Sequence, residues 1–389
     1  EAVTTKLYED IKAGRFGRQQ AEDSVKPPLR INNNLPADTT PLIGRDEDLE
    51  QIRGFFTVDG CRLVTIAGPG GMGKTRLALA YLDRHLTADS PFPDGIFFID
   101  LAPLSGTDQI PSALADALNF SLQGGDARSP QQQIIDYVRH KKMLLLFDNF
   151  EHLLDGVEMV VDLLESARDL KVLVTSRERL NVRLEQLYPI EGLQFPDWGT
   201  PDDAETYTAV RMFLQSARRN QPNFALRDDD DLIYLARICR LVAGMPLALE
   251  MAASWVDMLP LAEIAAELQH ALDFLETDMR DLPQRQRSVR AAIDYSWQHL
   301  TEKEQEIFAK LSVFRGGFTR EAARAVAEAN LRQMGRLVDK SFLQYDQIHD
   351  RYRVHELMRQ YGAEKLADAK SVQTQHLNFF VAFAENVEA

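Results

Sequence analysis

The sequence predicts a parallel, doubly wound α/β domain, then an all-helical domain, then a winged helix. Three observations predict it. A glycine-rich loop joins an apolar strand to an amphipathic helix. Apolar strands alternate with helical stretches as far as Gly192. From Asp202 the periodicity is helical and ends on a short hairpin.

The loop runs Gly68-Pro69-Gly70-Gly71-Met72-Gly73-Lys74-Thr75, after the strand Leu63–Ala67 and before a helix with Leu77, Ala78, Tyr81 and Leu82 on one face. It matches G-x-x-x-x-G-K-[ST], the phosphate-binding P-loop. Glycines let successive backbone N–H groups turn toward a phosphate, and the helix N-terminus adds partial positive charge. The expected cradle is Gly70, Gly71, Met72, Gly73, Lys74, Thr75 and Arg76. Lys74 is suited to the β- and γ-phosphates and Thr75 to Mg²⁺.

A second buried strand, Gly95–Leu101, precedes expected helices at Gln109–Phe120 and Gln131–His140. The apolar run Met143–Phe147 then ends in Asp148, the Walker B form. A central parallel strand delivers that carboxylate to its C-terminal edge beside the P-loop, where it can hold Mg²⁺ through water. A helix at Leu153–Ala167 leads to the strand Lys171–Thr175 and to Ser176-Arg177-Glu178. Arg177 falls on the edge that carries Asp148, placed to sense a γ-phosphate and to stabilise charge in a transition state. The alternative for Arg177 is a surface cation. A further strand is expected at Gln186–Ile190.

Four helices follow, at Ala204–Arg219, Asp229–Ala243, Pro246–Trp255 and Leu261–Leu275. Gly244 ends one of them and Pro246 suits the first turn of the next, which is all that the local pattern establishes there. Helices at Ser288–His299, Thr301–Val313 (opened by a capping box, Thr301 with Glu304), Glu321–Ala327 and Leu331–Lys340 precede short strands at Phe342–Tyr345 and Arg351–Val354. Helices followed by a hairpin suggest a winged helix. Charges in this part are near balance, so direct nucleic-acid contact is not expected. His355 stands between a strand and a helix, where a lone histidine is ordinarily structural. An amphipathic helix, His376–Val387, closes the chain.

The chain has 389 residues, 45% of them hydrophobic, and a net charge of −15, which argues against a nucleic-acid coat protein. Cys61 and Cys239 form neither a metal-ligand spacing nor a disulfide framework, which fits a reducing, cytoplasmic setting. No apolar run reaches the length of a membrane span. The Pro- and Asn-rich stretches Lys26–Pro28, Asn32–Pro36 and Thr39–Pro41 read as an extended linker after a short helix, Glu1–Phe16. Because the first residue is Glu1, the chain reads as an excised piece of a longer polypeptide.

In order and spacing these motifs resemble the signal-transduction ATPases with numerous domains (STAND), in the branch with the NB-ARC arrangement. The residues are Ile43-Gly44-Arg45, the P-loop, the Walker B strand, Thr175-Ser176-Arg177, Gly244-Met245-Pro246 and Val354-His355-Glu356-Leu357. The resemblance implies a P-loop NTPase domain at 41–198 after the end of a preceding domain and linker (1–40). A helical domain follows at 199–282, then a winged helix at 283–368 and the start of a helical repeat sensor at 369–389. It implies that Ile43 and Arg45 contact adenine, that Pro246 packs on the base with Leu247 beside it, that His355 approaches the β-phosphate of ADP, and that Arg177 reads the γ-phosphate. Lys74, Asp148, Arg177 and Glu151 form the implied catalytic set, and Thr75 with Asp148 the Mg²⁺ site. Two departures stand out. Asn149 replaces the usual second acid and cannot accept a proton, which leaves Glu151 as substitute. Val354 and Glu356 flank His355 where methionine and aspartate are usual.

The expected function is an ATP/ADP-dependent switch. ADP holds a closed monomer, ATP with Mg²⁺ favours an open, self-associating state, and slow hydrolysis resets it. Expected partners are a second copy, an N-terminal activator domain, a C-terminal tetratricopeptide sensor and an inducer, within a transcriptional regulator. Two rivals stay open: a DNA-binding regulator with nucleotide as structural ligand, and a fast metabolic P-loop enzyme.

Overall fold

The structure is a computed structural model that describes residues 31–36, 42–58, 60–87, 89–196, 203–270, 272–276 and 287–388. The expected helix over Glu1–Phe16, the stretches Lys26–Pro28 and Thr39–Pro41, and the segment around Asp202 lie outside the described residues.

Five parallel strands form the central sheet: β1 (Leu63–Ala67), β2 (Gly95–Asp100), β3 (Met143–Asp148), β4 (Lys171–Ser176) and β5 (Glu185–Pro189), in spatial order β2-β3-β4-β1-β5. Every residue of β1 and β3 is buried, which is why both read as predominantly apolar runs, broken only by Thr65 within β1 and ended by Asp148 in β3. Alternate side chains serve two cores. Leu144 and Leu146 face the core under helices Asp46–Thr57 and Lys74–Asp83. Met143, Leu145 and Phe147 face helices Ile110–Ala117, Pro130–Val138 and Val157–Ser166. The register pairs Ala67 with Ser176 and Asp100 with Asp148, so the P-loop, Asp148 and the residues after β4 emerge on one edge. Ligands of such sheets bind at this edge.

The stretch Asn32–Pro36, expected to be linker, is extended but docked. The Ile96 amide donates to Asn32 O at 2.9 Å. The Asn34 side chain accepts from Phe98 N at 2.7 Å and donates to Phe98 O at 2.8 Å. It covers the free edge of β2. Composition shows that this segment is extended; only the fold shows against what.

Helices Thr208–Asn220, Asp229–Leu241, Pro246–Ala253 and Leu261–His270 come next. They are followed by Val289–Trp297, Glu302–Leu311, Arg320–Ala327 and Leu331–Asp339, the antiparallel strands β6 (Gln344–Asp346) and β7 (Arg351–Arg353), and helix Glu356–Glu364. Thr301 and Glu304 form the expected capping box. The first hairpin strand starts at Gln344 rather than Phe342. Ser341 is left-handed (φ 60°), and the amides of Phe342 and Leu343 bond back to Leu337 O, which sends both side chains into the core. The final helix, Ala369–Glu388, is longer than expected and one of its sides is packed. Val372 is buried, and His376 and Phe380 meet Phe314 at ring distances of 4.9 and 6.4 Å. Among the described residues no helix is long and apolar enough to cross a membrane.

Candidate functional site

Gly71 and Gly73 adopt φ of +84° and +85°, the left-handed backbone that turns the loop's N–H groups inward. A Cβ on Gly70 would lie 3.1 Å from the Arg177 guanidinium. Lys74 Nζ donates to Gly68 O (2.8 Å) and Pro69 O (3.0 Å), so the ammonium is held over the loop. This geometry fits a nucleotide polyphosphate: inward amides, a lysine and a helix N-terminus converge on one hollow.

Asp148 stands across from the loop. Its Oδ1 accepts from Thr75 Oγ1 at 2.7 Å and from Thr175 Oγ1 at 2.5 Å. Thr175 Oγ1 in turn accepts from Asn149 N at 2.9 Å. Burial pushes the Asp148 carboxyl above its ordinary range, and the bonds from Thr175 and Thr75 and the charge of Lys74 oppose that push. Asp148 and Thr75 offer hard oxygen ligands, the donor set that suits Mg²⁺. Among the described residues no group of three or more His, Cys, Asp or Glu side chains is arranged to hold a metal ion, and Thr75 and Asp148 would give Mg²⁺ two protein ligands. That is the usual arrangement where phosphates supply the rest.

Arg177 is 7% exposed. Its Nε donates to Glu151 Oε1 at 3.1 Å, and its Nη1 donates to Ala292 O at 2.6 Å and Ser296 Oγ at 2.5 Å. The guanidinium lies 4.5 Å from the Tyr295 ring centroid. Ser341 Oγ donates to Arg177 O at 2.5 Å. One side chain past β4 therefore joins the P-loop edge to helix Val289–Trp297. Asn149 takes the left-handed conformation (φ 69°) and lines the phosphate hollow with Glu151 and Arg177.

The base side of the hollow is lined by Ile43, Arg45, Met72, Gly73, Arg76 and Pro246. The Arg45 guanidinium is already engaged, donating to Glu191 O (2.9 Å) and Met72 O (3.2 Å) and pairing with Asp48 (3.4 Å). It fastens the entering chain to the loop. Leu247 N donates to Gly71 O at 3.2 Å, which seats the helix begun by Pro246 on the P-loop. The structure thus brings together all the sequence-predicted site residues but one.

The exception is His355. It lines a separate cavity with Ala243 and residues 191–195, and neither hollow at the P-loop includes it. A backbone wall stands between, closed by Leu193 N donating to Gly244 O at 2.8 Å. Gly244 has φ +65°, and a Cβ there would fall 2.0 Å from Leu193 O, so only glycine fits the wall. Both ring nitrogens of His355 are buried, with the Ala243 backbone as polar partner. Burial lowers its pKa to about 4, opposed in part by the Glu356 charge and the Ala243 backbone.

Sequence reasoning missed Met212 and Gln215 on the base side, and Ala292, Tyr295 and Ser296 around Arg177. All lie on helices remote in sequence from the motifs, and none carries a motif of its own. It also missed the link from Thr175 to Asp148, although the spacing of strand-end residues on adjacent parallel strands could have found it.

Fold and site together define a P-loop ATPase. Residues 58–184 match the family model described as AAA domain. The chain is 36% identical over 338 residues to Rv0890c of Mycobacterium tuberculosis, whose name describes an HTH-type transcriptional regulator. That match covers 84% of this chain and 36% of the relative. It is 30% identical over 352 residues to the uncharacterized protein Rv0894 of the same organism, covering 88% of this chain and 85% of that one. The Walker-type ATPase PABY2304 of Pyrococcus abyssi shares the fold, with a TM-score of 0.52 at 12% identity, covering 85% of this chain and 98% of that one. The chain belongs to the family of Rv0894, and its motifs resemble those of the STAND P-loop ATPases of the NB-ARC type. It spans 36% of the length of Rv0890c.

Proposed function

We propose that the chain is a nucleotide-operated switch in which Arg177 couples the phosphate site to the C-terminal region. One observation carries this reading: the arginine at the γ-phosphate edge of the P-loop is also the side chain that holds Ala292, Ser296 and Tyr295. When ADP is bound, Arg177 keeps these contacts and the segments stay together. A γ-phosphate offers Arg177 a stronger, charged acceptor and draws it from helix Val289–Trp297. The segments then part and expose surface for self-association. The two nucleotides shift the equilibrium only through this differential contact.

Mg²⁺, held by Thr75 and Asp148, would supply electrostatic stabilisation of the phosphates. Ile43, Pro246 and Leu247 enclose the base. Glu151 serves as proton acceptor for water in place of Asn149. Its Oε1 accepts from Arg177 (3.1 Å), so it takes up that role only after Arg177 moves, and turnover is slow. In this reading the helices from Val289 and the β6–β7 hairpin form a winged helix that acts as a clamp, with domain limits near residues 198, 282 and 368. A relative's name points to gene regulation as the output of the whole protein, and a cytoplasmic location is part of this proposal.

The test is to denature freshly purified protein and identify the released nucleotide by chromatography, then to exchange it for a non-hydrolysable ATP analogue and follow particle mass. Stoichiometric ADP with a monomer, and larger particles with the analogue, are expected. An empty site, or the same mass with both nucleotides, refutes the switch.

A further inference from the structure

We propose a second ligand site in the cavity behind the Leu193–Gly244 wall, one that takes a small apolar or aromatic molecule bearing negative charge. The cavity measures about 870 Å³, within the usual range of small-molecule pockets. It lies between residues 191–195, helix Asp229–Leu241 and the face formed by Arg315 and β7 with His355, so one ligand touches all three parts of the chain.

Charge selects the ligand class. Arg237 and Arg240 line the cavity from the helical region, and Arg315 and Arg353 line it from the C-terminal region. The facing acids are Glu191 and Glu356. Glu356 is already bonded to Arg359 at 2.7 Å, and Arg353 to Asp346 at 2.7 Å. Among the described lining residues four arginines thus face two glutamates, in a chain whose net charge is −15. Nε of Arg237 is buried and makes no hydrogen bond. A buried donor of this kind is unfavourable until an acceptor arrives.

The walls select the rest of the ligand. Phe195 and Tyr207 stand on one side, and Leu241 and Val354 line the cavity with them. Apolar walls with a few convergent cations suit an anion with a flat or aliphatic body better than free phosphate. The nucleotide is an unsuitable occupant, because the P-loop lies beyond the backbone wall.

The probe is 8-anilinonaphthalene-1-sulfonate, an aromatic anion, titrated fluorimetrically into the full chain held in saturating ADP. About one equivalent is expected to bind, more weakly as salt rises and without displacement by further ADP. The double variant Arg237→Gln/Arg240→Gln should weaken binding about tenfold, and Arg315→Gln several-fold. Arg315 is exposed, so that single variant tests the site even if the double variant fails to fold. Displacement by ADP, or binding unchanged by Arg315→Gln, overturns the proposal. The second result would assign the probe to an apolar surface such as the exposed face at Leu377, Val381 and Phe383.

Discussion

Arg177→Ala removes an ion pair, two charged hydrogen bonds and a cation–π contact at one buried point. Each charged hydrogen bond contributes about 1.5–3 kcal/mol, and a desolvated cation–π contact about 2 kcal/mol. These do not add, because one cation makes them all. Removing one partner of a buried pair costs about 3–5 kcal/mol, since the other charge stays buried. We expect a loss in that range, measured by chemical denaturation of the ADP-bound protein. Glu151, 6% exposed, is the stranded charge. Neutralising it should recover part of the loss, so Arg177→Ala/Glu151→Gln is expected to lose at least about 1 kcal/mol less than the sum of the single variants. A loss below about 1 kcal/mol for Arg177→Ala, or an additive cycle, refutes the view that Arg177 holds the C-terminal region to the phosphate site.

Asp148→Asn keeps an acceptor for Thr75 and Thr175 but removes a carboxylate whose pKa is raised by burial. A raised carboxyl pKa means that ionisation disfavours the fold. The cost is absent below the unfolded pKa and complete above the folded one. The variant is therefore expected to melt higher than the native chain at pH 7 while losing any Mg²⁺ dependence of nucleotide affinity. Thermal melts and a titration with and without Mg²⁺ check both. His355, with its pKa lowered to about 4, stays neutral in the fold while the unfolded chain protonates near 6.5. Stability should fall by about 2 kcal/mol from this group between pH 7 and pH 5, and His355→Gln should lack that component in denaturation at the two pH values. Gly244→Ala forces a Cβ to within 2.0 Å of Leu193 O at a φ of +65°, and is expected to cost several kcal/mol or to prevent soluble expression. Lys74→Ala should weaken ADP binding by at least about a hundredfold, read by calorimetry.

The phosphate loop, Asp148 and the strand–helix alternation were legible in the sequence because each is a property of contiguous backbone. Glycines that accept positive φ, a strand buried on both faces and a helix starting at Lys74 all declare themselves within about twenty residues. Their meeting on one edge followed from parallel topology alone. Arg177 was visible as a cation after β4, but its partners lie 115 and 119 residues away, and nothing local marks Ala292 or Ser296. Tertiary packing also decided that Arg45 binds backbone carbonyls and that the Asn-rich stretch edges β2. The position of His355 was decided in the same way. The family resemblance implied that it approaches the phosphates, yet a hydrogen-bonded wall at Leu193 and Gly244 sets it in another cavity. Backbone conformation is encoded residue by residue, whereas the environment of a side chain depends on which distant segment arrives beside it.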